Sequence, residues 1–106
     1  MNLIFICSRN KRRSLTAETI YKNSNGHTVR SAGTEESARV QVNEKMLLWA
    51  DIIFVMEKRH KQRLTQRFEN SLRNKQLIVL DIPDKYEYMD EELADMLKDA
   101  VEYFVK

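Results

Sequence analysis

The chain has 106 residues, of which 42% are hydrophobic and 32% charged, a composition typical of one globular domain over residues 1–106. No apolar run approaches the roughly 20 residues of a membrane-spanning helix, the N-terminus lacks a signal-peptide pattern, and the single cysteine excludes an internal disulfide. No group of cysteines and histidines has zinc-ligand spacing. We therefore expect a cytoplasmic protein that needs no metal, no cofactor and no membrane.

The net charge of +2 is unevenly distributed along the chain. Residues 1–75 contain 15 Lys/Arg and 7 Asp/Glu, whereas residues 76–106 contain 3 Lys/Arg and 9 Asp/Glu. This asymmetry indicates either a surface that attracts anions or two surfaces that differ only in their solvation.

Four apolar runs predict strands, and the stretches between them have helical spacing. The strands are expected at Leu3–Cys7, Thr28–Ser31, Ile52–Met56 and Leu77–Asp81. The helices are expected over Leu15–Asn23, over Val42–Trp49, over Glu57–Leu72, and from the N-cap Asp90 through Phe104, with turns at Asn25-Gly26, Ala32-Gly33 and Pro83. Three strands are continuously apolar, as in a parallel sheet covered on both faces. The alternation predicts an α/β sandwich with right-handed crossovers.

In such folds, ligands bind at the carboxyl ends of the strands. Cys7, Ser31, Glu57 and Asp81 lie at or directly after the ends of the four predicted strands. We expect these residues, which are distant in sequence, to converge on one edge of the sheet.

The loop CSRNKRRS, residues 7–14, joins the first strand to the first helix. Loop amides and a helix N-terminus together attract an anion such as phosphate. Arg13 can bind two phosphate oxygens through its planar guanidinium. The same positive surroundings favour the thiolate of Cys7, a strong nucleophile. Ser14 can hydrogen-bond the sulfur, and Asn10 tolerates left-handed backbone angles; the alternative is a buried cysteine beside ordinary loop and cap residues.

The pattern Cys7-x5-Arg13-Ser14 resembles the C-x-G-N-x-C-R-S signature of the low-molecular-weight protein tyrosine phosphatases. VRSAGT, ADIIFVME and LIVLDIPD resemble, in order, that family's second, third and fourth strand segments. Here Arg9 and Arg12 replace the loop glycine and the second loop cysteine, and Ile82 separates the Asp-Pro pair. The resemblance implies a three-layer, flavodoxin-like fold with four parallel strands in the order 2-1-3-4.

The resemblance also implies a cysteine-dependent phosphatase that forms a phosphocysteine and acts on a phosphorylated protein or a small phosphomonoester. Cys7 and Arg13 would be catalytic, and the phosphate would be bound by Ser8, Arg9, Asn10, Lys11, Arg12 and Ser14. Oxyanions such as phosphate, sulfate and vanadate would inhibit it by occupying the loop. Asp81 is the favoured general acid, because it directly follows LIVL and so matches the position of the family's aspartate. Asp84 is the alternative.

Several other residues are open to two interpretations. Ser31, Tyr86 and Tyr88 either border the substrate cleft or are structural. Trp49 is expected in the core, and His60 is expected to be a hydrogen-bonded, partly buried histidine. The basic stretch Lys58–Arg67 is either a solvated helix face or a surface for a phosphorylated or nucleic acid partner.

Three other functions compete with the phosphatase. The first is a module that binds a phosphorylated partner without turnover. The second is a nucleic acid-binding domain that uses Lys11, Arg12 and the Lys58–Arg67 helix. The third, arsenate reductase chemistry, is set aside because it passes a disulfide along further cysteines, which this chain lacks.

Overall fold

The structure, a computed structural model, describes residues 1–22 and 26–105. Four parallel strands form one sheet in the order β2-β1-β3-β4. The strands are β1 (Asn2–Cys7), β2 (Thr28–Gly33), β3 (Ile52–Val55) and β4 (Gln76–Val79). The helices are α1 (Arg13–Tyr21), α2 (Glu44–Trp49), α3 (Lys58–Leu72) and α4 (Glu91–Glu102). The predicted parallel sheet and its order 2-1-3-4 are confirmed.

The sheet is covered on both faces, which gives three layers and two hydrophobic clusters. Alternate residues of β1 point to opposite faces, because side chains alternate along a strand. Leu3 and Phe5 pack with α1 and α4, whereas Ile4 and Ile6 pack with α2 and α3. All four side chains are fully buried, so β1 lies at the centre of the molecule and its carboxyl end is held firmly. Within the described residues, no helix has the length and apolar character needed to cross a membrane.

Some element boundaries differ from the sequence prediction. Gly33, predicted in a turn, is the last residue of β2 and pairs with Cys7. Strand β4 ends at Val79 instead of Asp81, because Asp81 adopts a positive φ of 55°. Helix α1 begins at Arg13 rather than at Leu15. The predicted helix end at Asn23 and the turn residue Asn25 lie outside the described residues.

The helix caps explain where α3 and α4 begin. Asp90 accepts hydrogen bonds from the backbone N–H groups of Glu92 and Leu93, as predicted for an N-cap. Glu57 caps α3 in a reciprocal arrangement, in which the His60 ring accepts a hydrogen bond from the Glu57 N–H at 3.0 Å. The cap of α3 therefore places Glu57 and His60 at the carboxyl edge of the sheet.

Candidate active site

A depression of about 410 Å³ opens at the carboxyl end of β1. It brings together most of the loop predicted to bind an anion and residues from three other segments. Its lining residues are Cys7, Ser8, Arg9, Lys11, Arg12, Arg13, Glu35, Arg59 and Asp84. Five basic side chains and two acidic ones surround the single cysteine.

The loop that follows Cys7 is held by the segment 34–39. The carbonyls of Cys7, Ser8 and Arg9 accept hydrogen bonds from the N–H groups of Thr34, Glu35 and Arg39, at 2.9, 3.0 and 3.0 Å. The Arg39 side chain donates from Nε to the next carbonyl, that of Asn10, at 3.2 Å. Four successive loop carbonyls therefore point towards the same neighbouring segment.

This arrangement turns the loop N–H groups the other way. In a planar trans peptide the N–H points opposite to the carbonyl, so the N–H groups that follow these carbonyls face away from the segment 34–39. The Asn10 N–H donates to Cys7 Sγ at 3.3 Å, whereas those of Arg9 and Lys11 have no acceptor within the described part of the chain. Free N–H groups of this kind beside the cysteine sulfur are suited to bind an anion.

Asn10 and Ser14 form a buried network beneath the cysteine. Asn10 is fully buried and adopts a φ of 59°, a left-handed conformation that asparagine tolerates. Its Nδ2 donates to Ser14 Oγ at 2.7 Å, and that oxygen lies 2.9 Å from Cys7 Sγ. When Cys7 is a thiolate, the Ser14 hydroxyl is the donor of this last bond, because a thiolate only accepts.

Arg13 is buried beside the depression, with 2% of its side chain exposed. One nitrogen, Nη1, donates both to Glu57 Oε2 at 2.6 Å and to the Ile82 carbonyl at 2.7 Å. Nε lies 3.8 Å from Asp84 Oδ1. Anchoring Nη1 orients the planar guanidinium and leaves its Nε and Nη2 edge for a bidentate ligand.

Glu57 stays ionised as the counter-charge of Arg13. Burial opposes the charged carboxylate, but hydrogen bonds from Arg13 and Arg59 outweigh burial and lower the pKa of Glu57 below its usual value. Arg59 approaches the same oxygen at 2.9 Å through Nη2. A single carboxylate thus holds one arginine of the loop and one of α3.

His60 connects α3 to the loop through Ser8. Its Nδ1 accepts from the Glu57 N–H, so the ring proton lies on Nε2, which donates to Ser8 Oγ at 2.9 Å. Burial, followed by repulsion from Arg13 and Arg59, lowers the pKa of His60 from 6.5 to about 4. The ring is therefore neutral near pH 7 and acts as a fixed donor to the loop.

The two candidate acids occupy different surroundings. Asp84 lines the depression together with Cys7 and Arg13. Asp81 does not; it lines a separate, more open depression with Glu57, Lys58, Arg59 and Pro83. Ile82 separates them: its side chain is buried in the core and its N–H donates to the Met56 carbonyl at 2.8 Å. Asp84, the alternative acid from the sequence, thus lies in the same depression as Cys7, whereas the favoured Asp81 does not.

The segment that carries Asp84 is fastened to α1 at both ends. Before Asp84, the Ile82 carbonyl accepts from Arg13. After it, the Met89 N–H donates to Thr16 Oγ1 at 2.9 Å, and the Tyr88 hydroxyl lies 2.9 Å from Thr19 Oγ1. Helix α1 therefore positions both the loop arginine and the Asp84 segment.

Some residues that we considered from the sequence lie elsewhere. Tyr86 is in the hydrophobic core, where its hydroxyl donates to Met96 Sδ at 3.3 Å, so it does not border the depression. Ser31 is buried and donates to Glu18 Oε1 at 2.7 Å.

Trp49 packs against the other hydrophobic cluster, beneath Arg30. Sequence reasoning missed Glu35 as a lining residue, for which no motif gave a signal, whereas Arg59 belongs to the basic stretch Lys58–Arg67 considered above.

Residues 1–22 and 26–105 contain no group of three His, Cys, Asp or Glu side chains that could hold a metal ion. The positive charge at the depression comes instead from arginine, lysine and backbone N–H groups.

Comparison with known proteins shows what this architecture resembles. No protein-family model and no curated protein matches the sequence. Among solved structures, a low molecular weight protein tyrosine phosphatase from Streptococcus pyogenes matches with a TM-score of 0.79 and 14% identity, covering 99% of this chain and 93% of the other. An arginine phosphatase, YwlE, from Geobacillus stearothermophilus matches with a TM-score of 0.77 and 19% identity, covering 98% and 92%.

Vibrio vulnificus Wzb, solved in complex with benzylphosphonate, matches with a TM-score of 0.76 and 20% identity, covering 97% of this chain and 95% of the other. These similarities extend over nearly the whole of each chain, and the sheet order agrees with the order implied by the loop signature. The chain therefore has the fold of the low molecular weight protein tyrosine phosphatases.

Proposed function

We propose that this protein is a cysteine-dependent phosphatase that hydrolyses phosphotyrosine or related phosphomonoesters through a phosphocysteine intermediate. The observation that carries the proposal is the convergence of Cys7, Arg13 and Asp84 on one depression. A phosphate-binding protein without turnover needs the loop and the arginine, but it has no use for a nucleophile and an acid in the same depression.

The proposed reaction has two steps. The Cys7 thiolate attacks phosphorus, so that an S–P bond forms, the P–O bond to the leaving group breaks, and Asp84 gives its proton to the departing oxygen. Water then attacks the phosphocysteine while Asp84 takes a proton from it, the S–P bond breaks, and inorganic phosphate and the thiolate are released. The free loop N–H groups and Arg13 stabilise the equatorial phosphoryl oxygens.

Ser14 assists by stabilising the leaving thiolate. Its hydroxyl, 2.9 Å from Cys7 Sγ, donates to the sulfur as negative charge returns to it. Asn10 supports this role, because its side-chain amide donates to the same hydroxyl oxygen, and the hydroxyl proton then has the sulfur at 2.9 Å as its nearer acceptor and the Ala32 carbonyl at 3.4 Å as the more distant one.

A phosphomonoester fits the depression better than phosphoarginine, the substrate suggested by the name of one structural neighbour. Release of arginine from phosphoarginine produces a cationic guanidinium. Five basic side chains surround the cysteine here, so a cationic leaving group is electrostatically disfavoured. A phenol or alcohol leaving group carries no such charge.

The direct test is hydrolysis of p-nitrophenyl phosphate over about pH 5 to 8 by wild type, Cys7→Ser and Arg13→Lys. We expect Cys7→Ser to lose more than about 10⁴-fold in kcat. We expect Arg13→Lys to lose about 10²–10³-fold, because lysine keeps the charge but not the planar fork. Wild-type protein that releases no phosphate, or a fully active Cys7→Ser variant, would refute the proposal.

A further inference from the structure

The walls of the depression are charged rather than aromatic. Within the described residues, no phenylalanine, tyrosine or tryptophan lines it. Tyr86 is in the core, and the Tyr88 hydroxyl is engaged by Thr19. Groups of a bound ligand beyond its phosphate would therefore meet charged and hydrogen-bonding side chains and not aromatic rings.

A second depression of about 160 Å³ adjoins the first on the α3 side. The two share Ser8, Glu35 and Arg59. The second is completed by Thr34, His60, Gln62, Arg63 and Gln66. The surface next to the phosphate loop thus continues along the basic, glutamine-bearing face of α3, within the stretch Lys58–Arg67.

Two cations on this continuous surface are free of carboxylates. Arg9 and Arg12 form ion pairs with Glu35 and Glu87, at 3.4 and 3.7 Å. Lys11 in the first depression and Arg63 in the second form no ion pair within the described part of the chain. Unpaired arginine and lysine beside a phosphate site are available to anionic groups of a substrate.

Resting on the phosphatase function proposed above, we propose that the substrate is a phosphorylated acidic peptide segment, in which a carboxylate next to the phosphoresidue binds Arg63. A polypeptide fits because the second depression lies beside the phosphate site. An extended chain advances by about 3.3 Å per residue, so the residues next to the phosphoresidue would reach the second depression. The acidic flank lies on the α3 side, because the unpaired Arg63 lines the second depression, whereas Asp84 lines only the first.

The experiment compares three phosphotyrosine peptides of equal length with acidic, neutral or basic flanking residues. At low salt we expect kcat/KM for the acidic peptide to exceed that for the neutral one about tenfold, and the ratio to fall to about twofold in roughly 0.5 M NaCl. Arg63→Gln lowers the acidic-to-neutral ratio about threefold. The matched control is Lys61→Gln, on the same helix but outside both depressions, which leaves the ratio unchanged.

Equal kcat/KM for acidic and neutral peptides, or a ratio unaffected by Arg63→Gln, would overturn the proposal. Binding of the same peptides to the Cys7→Ser variant, followed by fluorescence anisotropy, separates it from the phosphatase function. If the wild type is inactive but Cys7→Ser still binds the acidic peptide more tightly than the neutral one, the phosphatase function is refuted and the acidic-peptide proposal stands. A single-stranded oligonucleotide that displaces the acidic peptide more strongly than an unlabelled copy of that peptide would assign the surface to nucleic acid instead.

Discussion

Arg13 Nη1 and Glu57 Oε2 lie 2.6 Å apart, although the two residues are separated by 44 positions in the sequence. This ion pair joins the loop after β1 to the first residue of the α3 cap. It orients a buried guanidinium, and Arg59 shares its carboxylate. The orientation of Arg13 therefore depends on a residue that does not line the depression.

Replacing Glu57 with glutamine should weaken both the fold and the reaction. The buried Arg13 loses its closest anionic partner, which we expect to lower the free energy of unfolding by about 1.5–3 kcal/mol, and kcat/KM should fall because the guanidinium is no longer oriented. Urea unfolding and p-nitrophenyl phosphate hydrolysis measure the two effects. Glu69→Gln, an exposed change on the same helix, is the control. Equal stability and activity in both variants would show that the ion pair does not orient Arg13.

His60 should make the protein sensitive to mild acid. Its pKa is about 4 in the folded protein and 6.5 when unfolded, so between these values the unfolded state binds more protons. The free energy of unfolding should therefore fall as pH decreases from 6.5 towards 4, by about 3 kcal/mol over the whole window. Glu57, whose pKa lies below 4.5, adds acid sensitivity only at the lower end.

Thermal unfolding at several pH values between 6.5 and about 4.5 measures this effect. His60→Gln should flatten the dependence on pH. Ser8→Ala removes the hydrogen-bond partner of the ring but leaves its burial, so it should keep the dependence on pH while lowering kcat. A His60→Gln variant with the wild-type slope would contradict the assignment of the acid sensitivity to this ring.

The roles of Asp84 and Asp81 can be distinguished by how strongly the loss of kcat in each Asp→Asn variant depends on the leaving group of the substrate. With phosphotyrosine, whose phenolate is a poor leaving group, Asp84→Asn should lower kcat about 10²-fold or more, and with p-nitrophenyl phosphate the loss should be smaller. Asp81→Asn, the matched control three residues away, should stay near wild type with both substrates. The reverse pattern would identify Asp81 as the acid.

Gly33 should tolerate no side chain. A Cβ at this position would lie 2.5 Å from the Ser8 carbonyl oxygen and 2.6 Å from Ala38 Cβ. The Ser8 carbonyl belongs to the loop after β1, so Gly33→Ala should cost about 1–3 kcal/mol of stability and also lower activity. Adding Ala38→Gly relieves only the contact with Ala38, so the double variant should recover part of the stability and little of the kcat. Full recovery of kcat would show that the loop is not displaced.

The fold was predictable because the hydrophobic patterns of the individual strands and helices agreed with the sheet that they form. The fully apolar runs in β1 and β3 indicated strands covered on both faces, and the helices between them required parallel pairing. The ends of elements were less predictable. Gly33 was interpreted as a turn because glycine usually breaks a strand, whereas it extends β2 where the loop after β1 approaches too closely for a side chain.

The loop from Cys7 to Ser14 was the most recognisable part of the candidate site in the sequence, because its residues are consecutive. Asn10 has the only positive φ from Cys7 to Ser14, so the position of Arg9 does not require the glycine of the related signature. The partners of the loop were not predictable, since Glu57, His60 and the segment 34–39 reach it through tertiary packing. The position of Asp84 depended on the insertion of Ile82 into the core, which counting along the sequence did not reveal.

The attachment of residues 82–89 to α1 also affects how the proposed reaction would proceed. The proposed nucleophile precedes α1 by one short loop, and the proposed acid lies on a segment bound to Arg13 before it and to Thr16 after it. Nucleophile and acid are thus parts of a single preassembled unit and not of a body and a moving lid. Substrate would enter an open, already organised site, so the release of phosphate would not wait for a loop to open.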